Sequence, residues 1–198
     1  MREATTMIGI EVPIEEWLNN YPDHYVDDRE TYFKCRPFFT HIQENSTGAE
    51  VGTFEGYNAL GICRYCKPKK LYLIDPYKVY DSTSDTCIWK QPDWEDIFKR
   101  AKLKFKDYPC EFIRKPSIEG VKDVHEELDF VYIDGDHSTK SVLEDIETWF
   151  PKIKKGGLFG GHDVIETEVL DAIAMWFYNN RREGAVFKSQ WNDWWVTR

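Results

Sequence analysis

Gly48-Ala-Glu-Val-Gly-Thr-Phe-Glu-Gly-Tyr-Asn58 is the stretch on which the fold turns. A short apolar strand, Ala49–Val51, runs into a loop with glycines at 52 and 56, and a helical pattern follows at once. Glycine permits a tight turn and lets backbone N–H groups approach a ligand, while the start of a helix offers a partial positive charge to an anionic group. Outward from this point, strand-like runs at Leu71–Ile74, Glu111–Ile113, Phe130–Ile133 and Leu158–Gly160 alternate with helical patterns at Tyr57–Cys66, Asp93–Phe105, Val121–Glu127 and Thr139–Phe150. That rhythm predicts a doubly wound α/β domain, with parallel strands, right-handed crossovers and helices on both faces. After a helix at Thr167–Asn179, the runs Val186–Ser189 and Trp194–Thr197 are separated only by Gln190–Asp193. So short a loop implies an antiparallel hairpin closing a mostly parallel, seven-stranded sheet.

The first part of the chain has a different texture. Residues 1–45 read as helical and aromatic-rich, with one short helix starting at Pro13 and a second from about Asp28 to Glu44, complicated by Pro37. The expected organisation is therefore an N-terminal helical cap over residues 1–47 and a ligand-binding domain over residues 48–198, compact enough to form one unit.

Charge and cysteine content narrow the function. The 198 residues carry 26 Lys+Arg against 35 Asp+Glu, a net charge of −9. A nucleic-acid partner needs a basic footprint, and the densest basic stretch, Lys99 to Lys106, has Phe and Leu interleaved like the solvated face of a helix. No run has the length of a membrane span, and the start of the chain lacks the apolar core of a signal peptide. Five cysteines, an odd and scattered set, lead to the expectation of reduced thiols and a cytoplasmic location. Cys63 and Cys66 form a lone CxxC without a second pair to complete a zinc site, and read as two residues of a helix.

Two details decide the ligand. Phe54 stands where a GxGxxG dinucleotide fingerprint places its second glycine, the position a pyrophosphate needs bare. Asp75 ends the next strand, where a carboxylate accepts hydrogen bonds from two ribose hydroxyls. A nucleoside bearing an amino-acid carboxylate satisfies both, and S-adenosylmethionine is such a molecule.

At this point the sequence resembles the class I methyltransferases. The run Glu50-Val-Gly-Thr-Phe-Glu-Gly-Tyr-Asn58 is similar to the first motif of catechol O-methyltransferase-like enzymes. Leu128-Asp-Phe-Val-Tyr-Ile-Asp-Gly-Asp-His-Ser138 and Gly156-Gly-Leu-Phe-Gly-Gly-His-Asp163 resemble the methyltransferase family 24 type, which includes cephalosporin-hydroxylase-like and macrolide sugar O-methyltransferase relatives. The resemblance covers roughly residues 48–198. It implies that Glu50, Gly52, Thr53, Phe54, Gly56, Tyr57 and Asn58 surround the methionine part of the cofactor. By the same resemblance Asp75 holds the ribose, Ser117 marks the neighbourhood of the adenine, and Asp134 ends the strand beside the methyl group.

Asp134, Asp136 and His137 close the fourth strand, and His162 and Asp163 close the fifth. In an open α/β sheet both groups face one crevice at the carboxyl ends of the strands. The catechol-type relatives hold Mg²⁺ at positions matching Asp134, His162 and Asp163. A histidine in that set favours Mn²⁺ or Fe²⁺ over Mg²⁺, so both the presence and the identity of a divalent metal stay open. His137 stands where those relatives carry a lysine base, and its ordinary pKa suits proton removal. Asp136 has a plainer reading, as a cap for the helix that follows.

The expected function is methyl transfer to a hydroxyl of a small molecule or sugar, with His137 as base and Asp134 orienting the acceptor. Three rivals stand beside it: a catalytically silent S-adenosylmethionine-binding assembly protein, an NAD-dependent oxidoreductase disfavoured by Phe54, and an iron-dependent hydroxylase disfavoured by a single histidine in the triad. The sequence leaves the acceptor and the oligomeric state open, a homo-oligomer included.

Overall fold

A computed structural model of the chain describes residues 5–7, 10–12, 30, 33, 36–78, 91–180 and 193–198. The central element is β3 (Thr47–Val51), whose five residues are all buried. It follows a small hairpin, β1 (Thr5–Met7) and β2 (Ile10–Val12), which pair antiparallel. Either side of β3 lie β4 (Lys70–Ile74) and β6 (Leu128–Ile133), both parallel to it. The sheet continues to β5 (Cys110–Ile113) on one edge, and through β7 (Ile153–Gly161) to β8 (Trp194–Thr197) on the other. The order β5-β4-β3-β6-β7-β8 is parallel except for β8, which runs antiparallel to β7. Strand order reverses direction between β3 and β6. A doubly wound sheet opens its ligand crevice at that switch point, outside the strand carboxyl ends.

Alternation along the strands sorts two cores. Ala49, Val51, Val131, Ile133 and Phe159 point to one face, where they meet Val142, Ile146 and Trp149 of α4 (Thr139–Trp149) and Val169, Ala172, Ile173 and Trp176 of α5 (Thr167–Asn179). Leu71, Leu73, Phe130 and Tyr132 point to the other, under Phe38 and Phe39, Ala59 and Leu60 of α1 (Tyr57–Gly61), and the wide π-type turn Ile62–Cys66. Burial on both faces is why these strands read as continuous apolar runs. A third cluster gathers Trp94, Ile97 and Ala101 of α2 (Gln91–Lys104) around Tyr77, with Phe54 and Phe98 against it. The 94, 97, 98, 101 spacing is one face of a 3.6-residue helix.

Several expectations are corrected. Pro37 ends any helix before it: Glu30 and Phe33 are helical, Arg36 is not, and Pro37–His41 form a 3-10 turn. Thr5–Met7 and Ile10–Val12, rich in β-branched residues, are strands where helix was expected. The helix expected at Val121–Glu127 instead begins at Ser117, as α3 (Ser117–Gly120), and tightens to a 3-10 turn at Val121–Asp123. Six strands form the main sheet among the described residues. The expected strand Val186–Ser189 and the helix at Pro13 lie outside them.

Candidate functional site

The glycine turn is built by steric necessity. Gly52 has φ +86°, and a Cβ there would lie 1.9 Å from the carbonyl oxygen of Asp134. Its N–H donates to the Ile74 carbonyl at 2.9 Å, so the turn is pinned between β4 and the end of β6. Gly56, at φ +76°, starts α1 in the left-handed region that glycine tolerates best. Two cations from α2 hold the loop from outside: Lys104 Nζ donates to the Glu55 carbonyl at 2.8 Å, and Arg100 pairs with the Glu55 carboxylate at 2.8 Å. Lys104 also lies 3.6 Å from the centre of the Tyr57 ring. The basic stretch read as merely solvated thus supplies two loop clamps.

Under the turn lie polar groups with spare bonding capacity. Asn58 Nδ2 donates to Glu50 Oε1 at 2.9 Å, while Glu50 Oε2 and the nearby Thr53 hydroxyl, which eases the carboxyl's charge, are buried without a well-formed hydrogen bond. Burial pushes the Glu50 carboxyl up to about 8 against the pull of the Asn58 amide. Orphaned buried acceptors are costly, and native structures keep few of them. Their position beneath a glycine turn fits the amino-acid end of S-adenosylmethionine, whose ammonium would satisfy them.

Asp75 is arranged differently. It is 7 % exposed; its Oδ2 accepts the Phe54 N–H at 2.8 Å and its Oδ1 the Tyr77 N–H at 2.7 Å. The Tyr77 hydroxyl closes the ring by donating to the Phe54 carbonyl at 3.0 Å, and Tyr77 is fully buried with φ +46°. Burial raises the Asp75 pKa despite the two N–H donors. Each carboxylate oxygen keeps a second lone pair. Ser117 Oγ accepts from the Trp149 indole at 2.8 Å, which makes it a brace between α3 and α4.

At the end of β6 the Asp134 N–H donates to the Val51 carbonyl at 2.8 Å, and at the end of β7 the His162 N–H donates to the Ile133 carbonyl at 3.0 Å. These bonds set three strand ends side by side and bring the expected cluster together. His162 Nδ1 lies 2.8 Å from Asp163 Oδ1 and 3.9 Å from Asp134 Oδ1. His137 Nε2 is 3.2 Å from Asp163 Oδ2 and 3.9 Å from Asp134 Oδ1, while its Nδ1 meets Glu166 Oε2 at 3.1 Å. Asp163 reaches its place through a left-handed φ of +57°. The floor beneath is apolar, formed by Ile133, Val142, Val169 and Trp194.

Electrostatics follow from this crowding. The Asp134, Asp163 and Glu166 carboxylates around its ring lift His137 to about 9 against its partial burial. Burial alone would lower His162, but its bond to Asp163 and the charge of Asp134 raise it. Asp163 is held below the usual carboxylate range: burial acts upward, and His162, His137 and Arg36 outweigh it. The ligand atoms of Asp134, His162 and Asp163 all lie within 4.8 Å of one another, as do those of His137, Asp163 and Glu166. The first set offers one nitrogen and carboxylate oxygens, a mixture compatible with a divalent cation of intermediate softness.

Asp136 serves the fold: its Oδ1 accepts the Ser138 N–H at 2.8 Å, while Ser138 itself caps α4 by accepting the Ser141 N–H. Four residues near the site are not among those the sequence singles out. Glu166 holds His137. Arg36 reaches Asp193 at 3.3 Å, and the buried Tyr132 hydroxyl donates to the same Asp193 oxygen at 2.7 Å. Arg36 and Asp193 are 157 positions apart, and no local pattern announces such a contact.

A family model described as a methyltransferase domain matches residues 49–164, more than half of the chain. The chain belongs to that family. The chain is 29% identical over 125 residues to an uncharacterized protein of Acanthamoeba polyphaga mimivirus, the match taking in 60% of this chain and 51% of the viral one. The chain thus spans about half the length of that curated relative. Among solved structures, the O-methyltransferase NovP superposes with a TM-score of 0.58 at 13% identity, covering 89% of this chain and 79% of NovP. A Streptococcus mutans protein solved with S-adenosylhomocysteine gives 0.56 at 11% identity, covering 94% and 97%. An rRNA methylase from Streptococcus thermophilus gives 0.54 at 12% identity, covering 81% and 90%. These likenesses establish the fold, which among the described residues has a six-stranded, mostly parallel sheet with an antiparallel last strand. No helix among the described residues is long and apolar enough to cross a membrane.

Proposed function

We propose that this S-adenosylmethionine-dependent methyltransferase methylates a hydroxyl of a small molecule or sugar. The observation that carries the reading is the convergence of Asp134, His137, His162 and Asp163 on one crevice beside the glycine turn. When bound, S-adenosylmethionine supplies an electrophilic methyl group on a sulfonium. Glu50, Gly52, Thr53, Phe54, Gly56, Tyr57 and Asn58 hold its amino-acid end, Asp75 its ribose, and the Ser117 neighbourhood its adenine. Asp134 takes the place beside the methyl group in this reading.

His137 takes the hydroxyl proton at Nε2, while Glu166 at Nδ1 fixes the ring. Neutral imidazole is needed for this, so the carboxylates that raise its pKa favour turnover on the alkaline side. Asp134, His162 and Asp163 orient the acceptor, alone or around a divalent ion such as Mn²⁺ or Fe²⁺, which would lower the hydroxyl pKa. NovP is an O-methyltransferase, which agrees with this reading; the rRNA methylase argues for a wider acceptor panel, and the net charge of −9 argues against a polyanion.

The test measures S-adenosylhomocysteine release with a panel of sugars, phenols, amines and RNA, with and without Mn²⁺. Folded His137→Gln and Asp134→Asn variants should lose about 10²-fold or more in kcat while binding S-adenosylhomocysteine within a few-fold of wild type. Full turnover in either variant, or release confined to amine or RNA acceptors, refutes the reading. Cofactor binding without product for any acceptor would favour the silent assembly protein.

A further inference from the structure

Two sulfurs meet across 47 positions of sequence. Cys63 lies buried in the turn Ile62–Cys66 behind α1, Cys110 opens β5, and their Sγ atoms are 3.4 Å apart. The CxxC spacing points elsewhere, to Cys63 with Cys66. Cys66, however, directs its thiol to the Phe39 carbonyl, 3.5 Å away on the opposite side of the same core. The pair therefore arises from tertiary packing: the π-type turn lays Cys63 over β4 and onto the edge strand.

We propose that Cys63 and Cys110 form a disulfide when a hydroperoxide reaches the protein, fastening the turn behind the glycine loop to β5. The gap must close from 3.4 Å to the roughly 2.05 Å of an S–S bond, a shift of little more than 1 Å between two surface-side elements. Cys110 is half-buried and Cys63 buried, so the oxidant meets Cys110 first. The Cys110 thiolate attacks a peroxide oxygen; an S–O bond forms, the O–O bond breaks, and the leaving oxygen departs as water after taking a proton. The Cys63 sulfur then attacks Cys110 Sγ; the S–S bond forms, the S–O bond breaks, and the leaving hydroxide takes the Cys63 proton. Two thiols lose two electrons and two protons, and one hydrogen peroxide becomes two waters.

The order of events agrees with the thiols' surroundings. The contact with Cys110 and burial both push the Cys63 thiol up, so Cys63 keeps its proton until the second step. In a reducing compartment the pair rests as thiols, consistent with the cysteine pattern of the chain. The closed loop runs from residue 63 to 110 and includes β4, Asp75 and α2, the segment that supplies the ribose-side carboxylate and both loop clamps.

The test treats reduced full-length protein with stoichiometric hydrogen peroxide, blocks remaining thiols with N-ethylmaleimide, and maps tryptic peptides without reduction. Cleavage at Arg64 separates Cys63 from Cys66, and fragment ions distinguish Cys63 from Cys35 on the same peptide. The expected product joins Cys63 to the peptide bearing Cys110. It vanishes with dithiothreitol and in Cys110→Ser, and persists in Cys66→Ala. Closing a loop of this length should raise the melting temperature by roughly 5–10 °C in wild type and not in Cys110→Ser. A dominant Cys63–Cys66 or Cys35–Cys110 linkage overturns the proposal. So does complete alkylation of both thiols after the oxidant.

Discussion

Replacing Gly52 by alanine puts a methyl group where the Asp134 carbonyl oxygen already stands, 1.9 Å away, about 1.5 Å inside the 3.4 Å at which ordinary contact begins. The obstacle is backbone on both counted neighbours, Asp134 and Gly135, and backbone cannot rotate out of the way. A left-handed non-glycine residue costs about 1–2 kcal/mol by itself. Forcing the ends of β3 and β6 apart adds an overpacking cost of about 1–3 kcal/mol, and losing the bond from the Asp134 N–H to the Val51 carbonyl adds about 1 kcal/mol. The sum is about 3–6 kcal/mol. Gly156 supplies the control: its φ is +81°, nearly the same, yet nothing lies within 4 Å of an added Cβ. Gly156→Ala should cost about 1–2 kcal/mol, from backbone strain alone. Urea unfolding of both variants separates the two contributions, and turnover of the folded fraction reports Asp134, where a 1 Å displacement costs about 10²-fold. Equal stability losses in the two variants would show that Gly52 is required only for its φ, and that β3 and β6 do not meet as described.

Glu50→Gln should flatten the pH dependence of stability. A carboxyl at about 8 in the folded chain and 4.5 in its ordinary state gives stability that is full below about pH 4.5 and lost as pH rises through 8. The slope approaches about 1.4 kcal/mol per pH unit between those values, and urea midpoints from pH 5 to 8 should show it in wild type but not in the variant. Ser117→Ala leaves the Trp149 indole N–H buried and unpaired. It should destabilise by about 1–3 kcal/mol while moving S-adenosylhomocysteine affinity less than three-fold, read by thermal unfolding and calorimetry. Lys104→Ala removes the clamp on the Glu55 carbonyl and should weaken S-adenosylhomocysteine binding by roughly five-fold, with little loss of stability.

Some features were legible from sequence because they are local or periodic. The turn from Gly52 to Gly56 announces itself through two glycines before a helix, and α5 was bounded at Thr167 and Asn179 because its apolar stripe has clean edges. The strand-end cluster followed from the β-α rhythm, since parallel strands place their carboxyl ends together. Other features depend on contacts that no window of sequence contains. Glu166 reaches His137, Arg36 reaches Asp193, and Cys63 finds Cys110 only once the sheet has assembled. Lys104 and Arg100 were misread because a helical basic stretch looks the same whether it faces water or folds over a neighbouring loop. The Val121–Glu127 helix failed for a smaller reason: the Pro116 carbonyl accepts the Glu119 and Gly120 N–H groups, so the helical turn starts at Ser117 and is already tightening at Val121.

The ring of bonds joining Asp75, Phe54 and Tyr77 has a kinetic consequence. The Phe54 and Tyr77 N–H groups fix both carboxylate oxygens and leave each a lone pair, so an arriving sugar meets an acceptor already aimed. Capture would then need no prior rearrangement at this edge, and stopped-flow rates would rise linearly with nucleoside concentration. Loosening the ring with Tyr77→Phe, which removes the phenol's bond to the Phe54 carbonyl, would make those rates level off.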